Sequence, residues 1–307
     1  MAETQGPRLR TIIARNHRWD LIIGTIGLLA TTVGVLVLML LFVDLVIDGW
    51  QRLTPDFFLN FPSRRPEEAG ILSAWVGSAL VMVVTAFTAV PLGVAAAIYL
   101  EEYAPKNWIT ELIEINVTNL AAVPSIIYGL LALGLFVYIL GLGHSILTAG
   151  LTLGLMILPI VIVATREALR AIPVAIREAA YALGATRWQV VSDHLVPYAS
   201  GGIYTGVIIG LSRAIGETAP VITIGALTFI AFLPPIPFTG DPPAGPFDWL
   251  FSPFTVLPIQ MFNWLSRPQT AFHVNAAATG IVIIVATLLM NGIAIWLRSR
   301  IRSKLKW

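Results

Sequence analysis

Residues 166–197 read REALRAIPVAIREAAYALGATRWQVVSDHLVP and separate two long stretches of chain that carry almost no charge. The stretch before them, Ile115–Thr165, contains no Asp, Glu, Lys or Arg, and residues 195–240 after them contain only Arg213 and Glu217. A membrane-spanning helix needs about 20 consecutive apolar residues. The arginine-rich stretch is therefore predicted to be a loop between membrane spans.

The composition excludes a soluble protein. Hydrophobic residues make up 57% of the chain and charged residues 12%, with a mean hydropathy of +0.82, whereas soluble domains are about 25% charged. The absence of cysteine rules out a disulfide framework and a thiolate metal site. The four histidines lack metal-ligand spacing, and no phosphate-binding Gly-rich loop ending in Gly-Lys-Ser/Thr occurs. No catalytic residue, metal or cofactor is predicted.

The uncharged stretches predict an all-α, polytopic integral membrane protein with six transmembrane helices. Ile115–Thr165 is too long for one span, so it is divided into two at the Gly-Leu-Gly-His sequence of Gly141–His144. The other four spans are Leu21–Val43, Ile71–Leu100, a span that starts at Leu195, and Val274–Leu297.

Basic residues in the loops predict the orientation. Loops and tails on one side of the predicted spans carry fourteen Lys and Arg, and those on the other side carry four. Since the basic side faces the cytoplasm, both termini are predicted to be cytoplasmic in a multi-pass protein. Glu101, Glu102, Glu111 and Glu114 then form an acidic cytoplasmic patch. This patch is interpreted as a solvated loop face, with contact to an accessory protein as the alternative.

The segments outside the spans complete the predicted domain organisation. A cytoplasmic tail at 1–18 precedes a first transmembrane helix at 19–47, and a transmembrane domain covers 71–297. Within it, the outer segment 233–273 is rich in proline and aromatic residues, which suits a membrane-surface loop; a docking surface or gate is the alternative. The basic tail 298–307 is predicted to contact anionic lipid headgroups and not nucleic acid.

The loop 166–197 is predicted to contain a short helix. Pro173 suits the first turn of a helix, and Gly184 is a natural stop. The small residues between them would let another protein surface approach closely. An ordinary loop helix has a similar composition, so composition alone does not decide its role.

Arg213-Ala-Ile-Gly-Glu217-Thr-Ala-Pro220 places two charges inside the predicted fifth span. Arg213 lies about 15 Å along the helix from Ile203, so it is predicted near mid-membrane, where a charge is costly and is rarely exposed to lipid. Arg213 and Glu217 are four residues apart and share a helix face. The pair is either a structural ion pair or the polar lining of an anion path, because a guanidinium binds a tetrahedral oxyanion through two parallel hydrogen bonds.

The spacing within the loop resembles the EAA loop of ABC importer permeases. Glu178-Ala179-Ala180, Gly184 and the closing His194-Leu-Val-Pro197 match this pattern, except that His194 replaces the usual aliphatic residue. The resemblance implies a type I importer permease (MetI-like) architecture, in which this loop forms a coupling helix seated on a cytoplasmic ATPase. It also implies the ATPase-contacting residues, which are Glu178, Ala179, Ala180, Gly184 and Ala185.

The segment 213–220 is similar to permeases of the phosphate ABC importer, and its Ala219-Pro220 ending resembles the A-type more than the C-type subunit. Residues 91–105, 123–130 and 254–260 resemble the same permeases. The resemblance implies a prokaryotic inner-membrane subunit, not itself an enzyme, that works with a C-type permease, an ATPase dimer and an extracytoplasmic phosphate-binding protein. The substrate path it implies contains Arg213, Glu217, Thr218 and Ser125.

Three alternatives remain open at this stage. The chain could be the C-type phosphate permease or a permease for another oxyanion such as molybdate or sulfate. It could also be a secondary anion transporter or channel that works without an ATPase. A membrane scaffold is the last alternative, although a charged pair in mid-membrane would be needless there.

Overall fold

The computed structural model describes residues 6–239 and 243–302, without the side chains of 6–18, 297, 298, 301 and 302. The outermost parts of both predicted basic tails, and 240–242 of the segment 233–273, therefore lie outside the described residues. The described part of the chain is helical and contains no strand. Its helices are α1 Gly6–Gly49, α2 Pro55–Leu59, α3 Leu72–Ile98, α4 Trp108–Leu120, α5 Ser125–Ala132, α6 Ile146–Arg170, α7 Val174–Ala182, α8 Arg187–Gln189, α9 Val196–Gly216, α10 Ala219–Thr223, α11 Leu257–Leu265 and α12 Thr270–Arg302.

Five helices in the described residues are long and apolar enough to cross a membrane, and a bent helix pair raises the number to six if it counts as one span. The pair consists of α4 and the helix over Ser125–Ile139, which meet at 107°. The predicted third span is therefore a bent helix pair. Pro124 explains the break, because proline has no N–H and disfavours helical backbone in the preceding residue.

The fifth span is also shorter than the nearly uncharged stretch 195–240 indicated. Helix α9 ends at Gly216, and Glu217 has extended backbone with ψ of 124°. Glycine is a poor helix former, and Pro220 could not donate a hydrogen bond back to Gly216. The chain therefore leaves the helix after Arg213 and starts the separate helix α10 at Ala219.

Helices α3, α6 and α9 form the tightly packed centre of the fold. On α6, Gly150 and Gly154 lie against Val84 and Thr88 of α3. On α9, Gly202 and Gly206 lie against Ala168 and Ala164 of α6, closer than a Cβ would allow. Small residues let membrane helices approach closely in this way, so α9 is held firmly against α6.

The segment 233–273 is more than a surface loop. Exposed aromatics such as Phe247 and Phe251 agree with an interfacial position, but Phe254 and Trp264 are buried. Trp264 packs with Phe57 and Phe272 in an apolar cluster between α2, α11 and α12. This part of the segment belongs to the core, although its high proline content predicted a surface loop.

Arg52 joins three parts of the chain at this end of the fold. Its Nε donates to Oδ1 of Asn275 on α12 at 2.9 Å. Its Nη2 donates to the carbonyls of Glu67 and Ala69, at 2.6 and 2.9 Å, in the connection before α3. A single side chain therefore fixes the connection between α1 and α3 to the start of α12.

Candidate functional site

The predicted charged pair forms at the end of α9. Nε of Arg213, in the last turn, lies 3.3 Å from Oε1 of Glu217, and the two side chains are 39% and 20% exposed. The pair is not carried on one continuous helix face, because α9 ends between its members. Its depth in a bilayer remains a prediction.

Glu217 and Arg213 adjoin different neighbours. Glu217 lines a small internal cavity together with Ser78 of α3 and Val256. Arg213 lies within electrostatic range of Tyr128, whose hydroxyl donates to the Leu120 carbonyl at 2.7 Å. The pair thus lies between the central helices and the broken helix, with the guanidinium the more accessible of the two groups.

The break after α9 brings the following segment onto α5. Gly129 of α5 lies so close to Pro220 and Thr223 of α10 that a Cβ would collide with both. Ser125 lies one turn before Gly129, is half-buried, and has no hydrogen-bonding partner for its hydroxyl among the described residues. No hydrogen bond in the described residues joins Ser125 to Arg213.

Thr218 is placed on another surface. It lines an apolar groove with Pro258 and Met261, beside α11 and α12. No hydrogen bond or ion pair in the described residues joins its side chain to Arg213 or Glu217. Of the four predicted path residues, the structure brings together only Arg213 and Glu217.

A polar contact that sequence reasoning missed lies beside the pair. The Ser212 hydroxyl hydrogen-bonds to Asn291 of α12 and also contacts the Ile208 carbonyl at 2.7 Å. This contact fixes α9 against α12 at the residue before Arg213. The available signal was an asparagine in a mainly apolar span.

The predicted coupling helix is present as α7. Pro173 is its N-cap, and Gly184 after it has φ of +84°, a left-handed conformation that favours glycine. Glu178, Ala179 and Gly184 are exposed and Ala185 is half-buried. Ala180 is buried in the cluster beneath the helix, so it supports α7 from below and is not part of its exposed face.

Exposed apolar side chains lie on α7 and in the residues that follow it. Tyr181 is 45%, Leu183 90% and Trp188 68% exposed. Apolar side chains this exposed are typical of a surface that another protein or membrane lipid covers.

The interpretation of the acidic patch as a solvated face is wrong for three of its four members. Glu101 lies 2.9 Å from Arg170, and Glu114 lies 2.6 Å from the buried Arg166. Glu102 lies 2.8 Å from Arg177 of α7. Only Glu111 is exposed and makes no ion pair among the described residues.

The described residues contain no group of three or more His, Cys, Asp or Glu that could hold a metal ion. The polar groups at the candidate site are the Arg213 guanidinium and the Glu217 carboxylate. Of these two groups, the guanidinium is the kind that forms charge-assisted hydrogen bonds to oxyanions.

The chain matches one family model and is similar to several permease sequences. The family model described as "Binding-protein-dependent transport system inner membrane component" matches residues 89–303. The probable ABC transporter permease protein YqgI of Bacillus subtilis is 30% identical, over 92% of this chain and 95% of its own length. The phosphate transport system permease protein PstA of Mycobacterium leprae is 35% identical, over 75% of this chain and 72% of its own length.

The chain is also similar to a C-type phosphate permease and to a solved transporter structure. The phosphate transport system permease protein PstC of Haemophilus influenzae is 34% identical, over 70% of this chain and 76% of its own length. A chain of the inward-facing MetNI methionine ABC transporter superposes with a TM-score of 0.56 at 18% identity, over 75% of this chain and 95% of that one. The structural match shows the fold alone.

Proposed function

The chain belongs to the family of binding-protein-dependent transport system inner membrane components, and on that premise we propose that it is the A-type permease subunit of an ATP-driven importer of inorganic phosphate. Permeases of this kind pair with a second permease, an ATPase and a binding protein. The proposed partners here are a C-type phosphate permease, a cytoplasmic ATPase dimer and an extracytoplasmic phosphate-binding protein. Both termini would lie in the cytoplasm.

The observation that carries the proposal is the accessible Arg213 guanidinium paired with Glu217 at the end of α9. Arginine binds tetrahedral oxyanions in a planar, bidentate geometry. Glu217 would hold the guanidinium in place between transport events and release it to the anion. A net-neutral pair would also keep the anion from binding too tightly to leave.

The similarity to phosphate permeases supports the choice of substrate. Several relatives named PstA are 30–35% identical over most of this chain, whereas YqgI and YqgH carry no substrate in their names. Sulfate and molybdate are also tetrahedral oxyanions, so they are the competing substrates.

The exposed face of α7 supports coupling to an ATPase. Leu183 and Trp188 would dock into the ATPase, with Glu178 and Ala179 beside them. Closure of the ATPases on ATP would move α7 and, through the chain, the ends of α6 and α9. Arg213 lies at the far end of α9 and would move with it.

The first test is uptake of labelled phosphate into vesicles, with the partner subunits added one at a time. The proposal predicts uptake that requires ATP, both permeases, the ATPase and the binding protein, with little competition from sulfate or molybdate. Uptake driven by an ion gradient without the ATPase would instead establish a secondary transporter.

The second test is docking of the ATPase on α7. Glu178→Lys should remove the ATPase from the purified complex, because a cation replaces the exposed carboxylate of the docking face. Glu111→Lys makes the same charge change at an exposed glutamate outside that face and should retain the ATPase. Retention by both variants would contradict this role of α7.

A further inference from the structure

Arg177 joins three helices at the end of the fold that carries α7. Its Nε and Nη2 donate to Oε1 of Glu102 at 3.2 and 2.8 Å. Nη1 donates to the Ile172 carbonyl at 2.9 Å, and Nη2 also donates to the Leu169 carbonyl at 3.0 Å. One guanidinium on α7 therefore binds the end of α6 and the residues that follow α3.

The two side chains are well shielded from water. The exposed fractions are 17% for Arg177 and 10% for Glu102. An ion pair this shielded, with further hydrogen bonds to carbonyls, is costly to break by removing one partner. Glu102 reaches Arg177 from a π-helical turn at Tyr99–Tyr103, which extends α3 beyond Ile98.

The contact between Arg177 and Glu102 is important because α3 and α7 are not consecutive helices in the chain. Helix α7 is joined covalently to α6 through three residues, and to α9 through residues 183–195. Helix α3 has no such connection to α7, although it packs along α6. It meets the loop through its apolar contacts Val94, Ile98 and Tyr103 and through Glu102, whereas Glu101 pairs with arginines of α6.

We propose that Glu102 and Arg177 are positioning residues that make α3 follow the coupling helix α7 when the ATPase moves it, an inference that rests on the proposed function. The close packing of α3 against α6 transmits movement of α6, whereas the Arg177–Glu102 hydrogen bonds fix the direction and distance between α7 itself and the end of α3. Without these hydrogen bonds, ATP would still move α7, α6 and α9, but the end of α3 would follow α7 less closely and the path would open incompletely.

The test uses the complete complex in vesicles and measures phosphate uptake per ATP hydrolysed. Glu102→Gln should lower this ratio about fivefold or more, the lower end of usual coupling between sites, while the ATPase stays bound. Glu102→Asp keeps the charge and should restore part of the ratio. Glu111→Gln, at the exposed and unpaired glutamate, should leave the ratio unchanged.

Arg177→Gln provides a second route to the same measurement if Glu102→Gln assembles poorly. Arg177→Gln should lower the ratio by a similar factor. The ratio for the double variant should be no lower than that of the more severe single variant, because all three variants lack the same Arg177–Glu102 contact. An unchanged ratio in Glu102→Gln, an equal loss in Glu111→Gln, or additive losses in the double variant would overturn the inference.

A distance measurement tests the inference without relying on the substrate. The chain has no cysteine, so spin labels can be placed at Leu92→Cys on α3 and Ala175→Cys on α7, both at exposed positions. With Glu102 intact, ATP should leave the distance between the labels unchanged, and with Glu102→Gln it should alter that distance. A change with Glu102 intact, or none in the variant, would overturn the inference. If the unmodified complex failed to take up phosphate, the proposed function would be contradicted. The distance between the labels would then still test whether Glu102 and Arg177 make α3 follow α7.

Discussion

Arg213 and Glu217 are paired across the point where the helix α9 ends, with Nε and Oε1 3.3 Å apart. Glu217 has extended backbone, so its carboxylate is held by a non-helical segment. A pair spanning a helix end can separate by a small backbone movement, without unwinding helical turns. The ion pair is therefore suited to opening and closing during transport.

Glu217→Gln should alter both the KM and the maximal rate of phosphate transport. Removing the carboxylate leaves Arg213 free to hold the anion, so the KM for phosphate and the maximal rate should both fall. Because the pair is partly exposed, the KM should fall by no more than about fivefold, the range of a solvent-screened ion pair. Uptake measured over a range of phosphate concentrations checks this, and a raised KM would contradict it.

Ala179→Glu should prevent binding of the ATPase, whereas Ala180→Glu should lower the stability of the fold. Ala179 is exposed on the docking face, so its variant should stay folded and lose the ATPase. Ala180 is 6% exposed, so its variant buries a carboxylate and should be destabilised by several kcal/mol. Thermal unfolding in detergent, together with co-purification of the ATPase, separates the two. Equal stability of the two variants would place both residues on one surface.

Gly129→Val should destabilise the contact between α5 and α10. A Cβ at Gly129 would collide with Pro220 and Thr223, whereas a Cβ at Gly134 meets nothing within 4 Å. Overpacking of this kind costs about 1–3 kcal/mol. Gly129→Val should therefore unfold at a lower temperature than Gly134→Val, and the opposite order would contradict the observed packing.

Arg52→Met should loosen the connection between α1 and α3. The variant leaves Asn275 and two backbone carbonyls without their donor, at a cost of about 1–3 kcal/mol. Arg64→Met is the matched control, because Arg64 is exposed and makes no ion pair in the described part of the chain. Thermal unfolding of the two variants is the measurement, and an unaltered Tm for Arg52→Met would argue against the network.

Much of the fold follows from patterns within single segments of the sequence. Uncharged stretches predicted the apolar spans, and Pro173 with Gly184 predicted the short helix α7. The angle of 107° at the Pro124 break and the end of α9 at Gly216 do not follow from hydropathy, because hydropathy measures composition and not backbone continuity. Proline and glycine at these positions were the available signals.

The candidate site was predictable only where its residues are neighbours in sequence. Arg213 and Glu217 were found because two charges stand out in an apolar stretch. The pairs of Arg177 with Glu102 and of Arg166 with Glu114 join residues 75 and 52 positions apart, a distance over which no local pattern extends. Ser212 and Asn291 were missed for the same reason.

The most direct test of the central claim is ATP-dependent phosphate uptake by the assembled complex carrying Arg213→Gln. Arg65→Gln, which breaks the exposed pair of Arg65 with Glu68, is the matched control. The account predicts that Arg213→Gln retains all subunits yet reduces uptake to the level measured without ATP, while Arg65→Gln transports normally. Normal uptake by an assembled Arg213→Gln complex would contradict a role of this guanidinium in the phosphate path.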